Sequence, residues 1–505
     1  MNAPLRRVGI VVMVLFGLLF VNLNWVQGYK ADDYRTSDFN GRVQIEEYER
    51  PRGVIFLAGG VPVAQSTETQ DALKYLRTYP GKDLYAHVVG YKPVSGAETG
   101  VEKLNNDFLA GTSDRLVVDR LRDMFTGSTT PGGNVQLTVS KAAQEKAVEQ
   151  LKANRVNARH GAVVMIDPKT GALLAMASMP AFDPNPLTSH DLGAADKAFG
   201  ELDRNPDKPL LNRAMQDRYP PGSTFKVIAA AAALQELGFN VNTVQQGGAT
   251  YTAPDTTTSI RNSPGVNCPN QLSLKEALRI SCNTFFSRLC AEGFGANKGA
   301  DKIKAMAQAF GFETTPTFAD DPDNAYRVAS SQTGSIKDPD GTDDRPALAQ
   351  SCIGQANVAM TPLQNALVAA AVANGGTQMR PFVVQQLQGP DLVPIETARP
   401  RELRRPISPQ IAASLQEMMV AVVENGTGRS AQIPGFTVGG KTGTAQAGES
   451  AKDHGWFIGF VKRGNEPLVA ICVFLESADR GGSGEAARIS GEVMKAYLAE
   501  KGLSR

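Results

Sequence analysis

The sequence predicts an α+β protein in three parts: one N-terminal transmembrane helix, a mixed domain behind it, and a larger domain in which an antiparallel sheet is flanked by helices. Three observations predict this. One apolar run near the N-terminus stands out from an otherwise ordinary composition. The polar, mixed texture that follows gives way at Gly161 to an alternating strand hairpin. Helical stretches then lead to further strand-like runs, so that the two ends of the larger domain meet in one sheet. At 505 residues the chain is too long for one ordinary core.

Taken in order, residues 8–21 carry no polar side chain, the apolar character continues through Leu23, Trp25 and Val26, and Arg6 and Arg7 precede the run. Spanning a bilayer takes roughly 17 to 25 residues, a length met if Asn22 and Asn24 lie at the interface beside Trp25. A cleaved signal peptide is the competing reading. Asn22, Leu23, Asn24 and Trp25 are poor substitutes for the small residues of a cleavage site, which favours an uncleaved anchor over 1–28. In both readings the basic N-terminus stays inside. The rest of the chain then lies outside the cytoplasm on a single-pass membrane protein, where disulfides persist and ATP is scarce.

Residues 29–158 form the second part, with a strand-like run over 52–57, a helix over 139–152 and no catalytic constellation. The third part is 159–505. It opens with strands over 162–166 and 172–176 around the turn-forming Asp167-Pro168-Lys169-Thr170-Gly171. Helices follow over 224–237, 274–289 and 361–373, then strands over 436–439, 456–461 and 468–475, and a last helix over 485–501. Lys plus Arg number 52 against 51 for Asp plus Glu, so no field draws the chain to nucleic acid. At 42% hydrophobic and 20% charged residues, the composition argues against both a polytopic membrane protein and wholesale disorder.

Pro220-Pro221-Gly222-Ser223-Thr224-Phe225-Lys226 opens an alanine-rich helix, and the Pro and Gly before the serine mark its start. A spacing of three puts Ser223 and Lys226 on one face, where a neutral amine can take the hydroxyl proton as the serine attacks a carbonyl. Burial, a second nearby cation and the helix dipole all disfavour the ammonium form. Alone the tetrad is weak: a serine N-cap with an exposed lysine reads the same. Further along stand Ser281-Cys282-Asn283 and, directly after a strand-like run, Lys441-Thr442-Gly443-Thr444. The ordered triple Ser-x-x-Lys, Ser-x-Asn, Lys-Thr-Gly is the signature of penicillin-binding proteins and serine β-lactamases.

The sequence therefore resembles the class B penicillin-binding proteins, D,D-transpeptidases that cross-link bacterial peptidoglycan, over nearly its whole length. Gly161 to Ser178 resembles the hairpin that opens their transpeptidase domain, and Thr361-Pro362-Leu363-Gln364, Gly426-Thr427-Gly428 and Trp456-Phe457-Ile458-Gly459 also recur there. Arg50-Pro51-Arg52-Gly53 and the run from Gly96 to Glu102 resemble the non-catalytic pedestal, a dimerisation-like domain. Two departures stand beside matched positions: Ala356 follows Gly354-Gln355 where many members have glycine, and Cys282 is an unusual middle residue.

The resemblance implies a penicillin-binding/β-lactamase-like transpeptidase fold and a role for each matched residue. Ser223 is the nucleophile, Lys226 its general base, Ser281 a proton relay linked to Lys441, and Asn283 a holder of the donor peptide's backbone. The Ser223 and Thr444 N–H groups form an oxyanion hole, worth roughly 3 to 4 kcal/mol per donor. Thr442 and Thr444, on either side of Gly443, bind the substrate's terminal carboxylate. The substrates are stem peptides ending in D-Ala-D-Ala, β-lactams acylate the same serine, and a D-Ala-D-Ala carboxypeptidase side activity is compatible. The pedestal carries no glycosyltransferase-like acidic signature, so glycan polymerisation falls to a partner membrane glycosyltransferase, with division proteins as further partners.

Other readings fare worse. Gly435-Phe436-Thr437-Val438-Gly439-Gly440-Lys441-Thr442 satisfies the Walker A pattern, but a phosphate loop must lead from a strand into a helix and the compartment offers no ATP. The run from Gly426 to Ala431 mimics a dinucleotide fingerprint, yet follows a helix. A catalytically silent scaffold or a β-lactam sensor is the non-enzymatic alternative; intact Lys226, Ser281 and Lys441 favour catalysis. No cofactor or metal is expected, because the cysteines (268, 282, 290, 352, 472) and histidines (87, 160, 190, 454) are scattered. Cys268 with Cys282 is the candidate disulfide, closing a loop beside Ser281. Cys290, Cys352 and Cys472 are expected as buried thiols.

Overall fold

The computed structural model describes residues 2–31, 34, 48–117, 130–446, 452–478 and 481–503. The helix Asn2–Asn24 runs on through Trp25–Tyr29, and within it Arg6–Tyr29 is long and apolar enough to cross a membrane, with none of it buried against the rest of the chain.

The main sheet has five antiparallel strands in the order Thr437–Ala445, His454–Arg463, Glu466–Glu476, His160–Ile166 and Leu173–Met179. Val163 stands opposite Val473, so the hairpin that opens this region is zipped to the last strand, and the two ends meet as the sequence predicts. Both faces are covered. The helices Lys141–Lys152 and Gly482–Glu500 pack on one side; Pro362–Ala373, buried along its whole length, packs on the other. That is why the hairpin His160–Ile166 and Leu173–Met179, expected to alternate, is instead buried on both faces along nearly its whole length. Alanines at 229–233 let Lys226–Glu236 sink into the same layer as Pro362–Ala373, since small side chains allow close backbone approach.

A second sheet has six strands, in the order Pro394–Thr397, Val384–Gln388, Asn134–Leu137, Ile55–Phe56, Pro62–Glu68 and Tyr75–Thr78. Its first two strands come from far along the chain. Leu387 stands opposite Val135, so a hairpin from the C-terminal part extends the N-terminal sheet. Nothing in the local sequence announces this long-range pairing. Beneath the sheet Glu102, fully buried, takes Arg52 Nε at 2.8 Å and Arg77 Nε at 2.6 Å. The pairing satisfies the need of an interior carboxylate for charge-assisted partners.

Two sequence expectations need correction. The helix expected over 274–289 is broken into Leu274–Arg279 and Asn283–Arg288, with Ser281 at φ 62° between them. An apolar period continues across the break, and periodicity cannot register a single left-handed residue. The strand expected to end at Gly439 continues to Ala445, which puts Lys441, Thr442, Gly443 and Thr444 on the strand itself.

Candidate active site

Ser223 lies in a single 3₁₀ turn, Gly222–Phe225, that leads into Lys226–Glu236. The turn is held tightly. Trp456 Nε1 donates to Pro220 O at 3.0 Å, Tyr219 and Met360 exchange backbone hydrogen bonds, and Gly222 N donates to Gly354 O at 2.9 Å. Gly222 has φ 55°, and a Cβ there would stand 2.4 Å from Thr444 O, so only glycine lets the turn touch the neighbouring strand. From that strand Gly443 meets the same turn: a Cβ would lie 2.8 Å from Pro221 O. These two contacts set Ser223 beside Lys441–Thr444.

Lys226 is fully buried. Its Nζ reaches Ser281 O at 2.8 Å, Ser281 Oγ at 3.2 Å and Asn283 Oδ1 at 2.6 Å. Lys441, equally buried, reaches Ser281 Oγ at 2.9 Å and Thr442 O at 2.8 Å. Burial, reinforced by the Lys441 charge, holds the Lys226 ammonium well below the ordinary lysine range, and burial pushes Lys441 down to about 7. A neutral Lys226 has two N–H donors and one lone pair. Ser281 O and Asn283 Oδ1 take the donors, which leaves the lone pair to face a hydroxyl.

The structure thus joins Lys226, Ser281, Asn283 and Lys441 in one hydrogen-bonded cluster and sets the Ser223 turn against the strand that carries Lys441, Thr442, Gly443 and Thr444. No hydrogen bond joins Ser223 to Lys226 among the described residues; such contacts are often loose before substrate arrives. Thr442 is buried with its hydroxyl on that of Thr427, whereas Thr444 is exposed and donates to Ser483 Oγ at 3.3 Å. Cys268 and Cys282 form a disulfide with Cα atoms 5.8 Å apart, directly beside Ser281.

Cys290 and Cys352 are not the free thiols expected. They form a second disulfide with Cα atoms 6.4 Å apart, because the helices Asn283–Arg288 and Arg345–Ser351 pack side by side. A separation of 62 residues gives sequence reasoning no handle on that pairing. Cys472 is a buried thiol in the main sheet. Two residues of the site have little or no signal in the sequence: Thr427 shows only as the middle of Gly426-Thr427-Gly428, and Asn262 lies in no motif. A cavity of about 690 Å³ is lined by residues including Tyr91, Lys103, Phe182, Phe199 and Arg327. It contains none of the residues gathered around Ser223.

The family model described as the penicillin binding protein transpeptidase domain matches residues 161–495, and that of the penicillin binding protein A dimerisation domain matches 52–135. The chain is 42% identical over 504 residues to the peptidoglycan D,D-transpeptidase PbpA of Mycolicibacterium smegmatis, covering 99% of each chain. To the protein of that name from Mycobacterium tuberculosis it is 39% identical over 507 residues, again with 99% of each covered. The solved ceftriaxone acyl-enzyme complex of penicillin-binding protein A from M. tuberculosis superposes with a TM-score of 0.83 at 38% identity, covering 90% of this chain and 100% of that one.

Proposed function

The chain belongs to the penicillin-binding protein transpeptidase family, and from that premise we propose that this peptidoglycan D,D-transpeptidase of cell-wall synthesis works through an acyl-enzyme on Ser223. The observation that carries the assignment is that two buried lysines converge on one hydroxyl, Ser281 Oγ, beside a serine held on a glycine-tightened turn.

Ser223 Oγ attacks the carbonyl of the penultimate D-Ala and gives its proton to Lys226 Nζ, which burial keeps neutral. The developing oxyanion sits between the N–H groups of Ser223 and Thr444. As the tetrahedral adduct collapses, the C–N bond breaks and the leaving D-Ala amine takes a proton. Lys226 supplies it by way of Ser281, whose Oγ accepts from Lys441 meanwhile. The ester is then attacked by an amine of a neighbouring stem peptide, which restores Ser223. Asn283 holds the donor backbone, and Thr442 and Thr444 take its carboxylate. A β-lactam opens on the same serine and has no leaving group to depart.

The span Arg6–Tyr29 supports a single-pass anchor with the enzyme outside the cytoplasm, and two disulfides fit an oxidising compartment. Division proteins and a membrane glycosyltransferase are the partners such an enzyme requires. The test is intact-mass spectrometry of the full chain in detergent after exposure to penicillin. A single adduct on Ser223, absent in Ser223→Ala and greatly slowed in Lys226→Ala, is expected. An adduct that survives in Ser223→Ala would overturn the assignment.

A further inference from the structure

The short helix Asn283–Arg288 carries the asparagine that faces Lys226, and its first N–H groups need acceptors from outside the helix. The residue in the capping position is Cys282. Its Sγ, tied to Cys268, lies 3.4 Å from Phe285 N, and sulfur is a poor acceptor. The missing oxygen comes from another segment. Asn262, just past the strand Ser259–Arg261, puts Oδ1 2.8 Å from Asn283 N and 3.2 Å from Thr284 N. Its own amide is held in turn, since Nδ2 donates to Gly248 O at 2.9 Å, the carbonyl that Thr284 Oγ1 also reaches at 2.8 Å. The preceding carbonyl, Arg261 O, accepts from Asn283 Nδ2 at 2.9 Å. With Nδ2 committed to Arg261, Asn283 Oδ1 must turn toward Lys226 Nζ, which it meets at 2.6 Å.

We propose that Asn262 is a positioning residue for the acylation step: by accepting from the Asn283 and Thr284 N–H groups it fixes where Asn283 starts its helix, and so where Asn283 Oδ1 meets Lys226. This rests on the reading of Ser223 and Lys226 given above. Only Oδ1 reaches the helix; a purely structural role, bracing the hairpin Thr250–Thr252 and Ser259–Arg261 against the carbonyl of Gly248, would run through the Nδ2 donors alone. The carboxylate variant separates the two roles, because Asn262→Asp keeps the oxygen that accepts and loses the donors.

The experiment measures the acylation rate constant k2 and the pre-acylation constant K for penicillin on the full chain in detergent, with melting followed in parallel. Displacement of a reacting group by about 1 Å costs up to 100-fold, so Asn262→Ala is expected to lower k2 by about 10- to 100-fold with K changed less than about threefold. Asn262→Asp is expected to retain k2 to within about fivefold, since the two backbone donors keep their acceptor. Wild-type k2 in Asn262→Ala, or a loss in Asn262→Asp as large as in Asn262→Ala, overturns the assignment. If Asn262→Ala does not fold, Asn262→Gln decides: it keeps every polar group but moves it outward by one methylene. A slowed k2 at unchanged K then supports the assignment, and wild-type k2 overturns it. A wild type that penicillin fails to acylate strikes the underlying reading of Ser223 itself, which separates that failure from the others.

Discussion

Lys226 and Lys441 reach the same hydroxyl, Ser281 Oγ, at 3.2 Å and 2.9 Å. Two ammonium groups cannot share that space cheaply, and burial already disfavours each charge. With Lys226 as the proposed base, acylation requires Lys226 neutral and draws on a Lys441 that is still charged, whose ammonium is a stronger donor to Ser281 Oγ than the amine. The rate is therefore expected to climb from the acid side as Lys226 loses its proton, and to fall again as pH passes the Lys441 value of about 7. The two limbs belong to the coupled pair and to neither lysine alone. Stopped-flow acylation with a chromogenic β-lactam between about pH 5 and pH 10 measures the profile, and a flat one would count against Lys226 as base.

The same burial has a signature in stability. A lysine depressed in the fold binds fewer protons than it does in the unfolded chain, so stability rises with pH between the folded value of Lys441, about 7, and the ordinary lysine value near ~10.4. Lys441→Met removes that dependence. The melting temperature of wild type is thus expected to gain on that of Lys441→Met as pH rises from 7 to 9. A constant gap would mean that Lys441 is not depressed.

Ala356 has φ 57°. This is the position where the family resemblance leads one to expect glycine, and an L-residue in the left-handed region is strained by about 1–2 kcal/mol. Ala356→Gly relieves that strain while adding about 0.5–1 kcal/mol of unfolded-chain entropy, so a net gain of up to about 1 kcal/mol is expected by denaturant titration. The gain should leave Ser223 acylation intact. A loss of stability would show that the Ala356 methyl group makes contacts worth more than the strain.

Much of this was legible in the sequence because each motif had to satisfy a local rule. Pro221 and Gly222 mark the start of a helix, the turn-forming run Asp167 to Gly171 marks the hairpin His160–Ile166 and Leu173–Met179, and Ser223 with Lys226 sits where a helix begins. What stayed hidden depends on contacts between segments distant in the chain. The pairing of Leu387 with Val135, the Cys290–Cys352 bond and the carbonyl of Arg261 under Asn283 have no periodicity to betray them. Ser281 broke an expected helix because a single left-handed residue leaves the apolar pattern intact.

The Cys290–Cys352 bond closes a loop with a separation of 62 residues, behind the helix that carries Asn283. Constraint of the unfolded chain by a loop of that size is worth about 4 kcal/mol. The double variant Cys290→Ser, Cys352→Ser is expected to lose about 2–4 kcal/mol of stability, read by denaturant titration under non-reducing conditions. Peptide mapping that found both residues as thiols in the native protein would remove the basis for this.

Glu102 offers a test of whether the N-terminal domain and the Ser223 site are energetically separate. Burial by itself would raise the Glu102 carboxyl, but the Arg77 and Arg52 guanidiniums outweigh it and hold the group below its ordinary value. The carboxylate also accepts from Tyr79 at 3.1 Å, so Glu102→Gln leaves two buried arginines without a counter-charge. Breaking one member of a buried ion network costs about 3–5 kcal/mol, and that loss is expected here at neutral pH. Because the folded carboxyl is depressed, its stabilisation is present above the unfolded value of about 4.3 and is lost as pH falls through the folded value. The difference between wild type and Glu102→Gln should therefore shrink on acidification. The network packs against the sheet that residues 384–397 share with the N-terminal strands, with Arg77 on one of its strands, and none of its members is bonded to Ser223, Lys226 or Lys441. Acylation of folded Glu102→Gln by penicillin should then proceed at the wild-type rate. If the rate falls along with the stability, the shared sheet is transmitting strain from the N-terminal domain to the Ser223 site, and the hairpin Val384–Gln388 and Pro394–Thr397 is the connection to sever next.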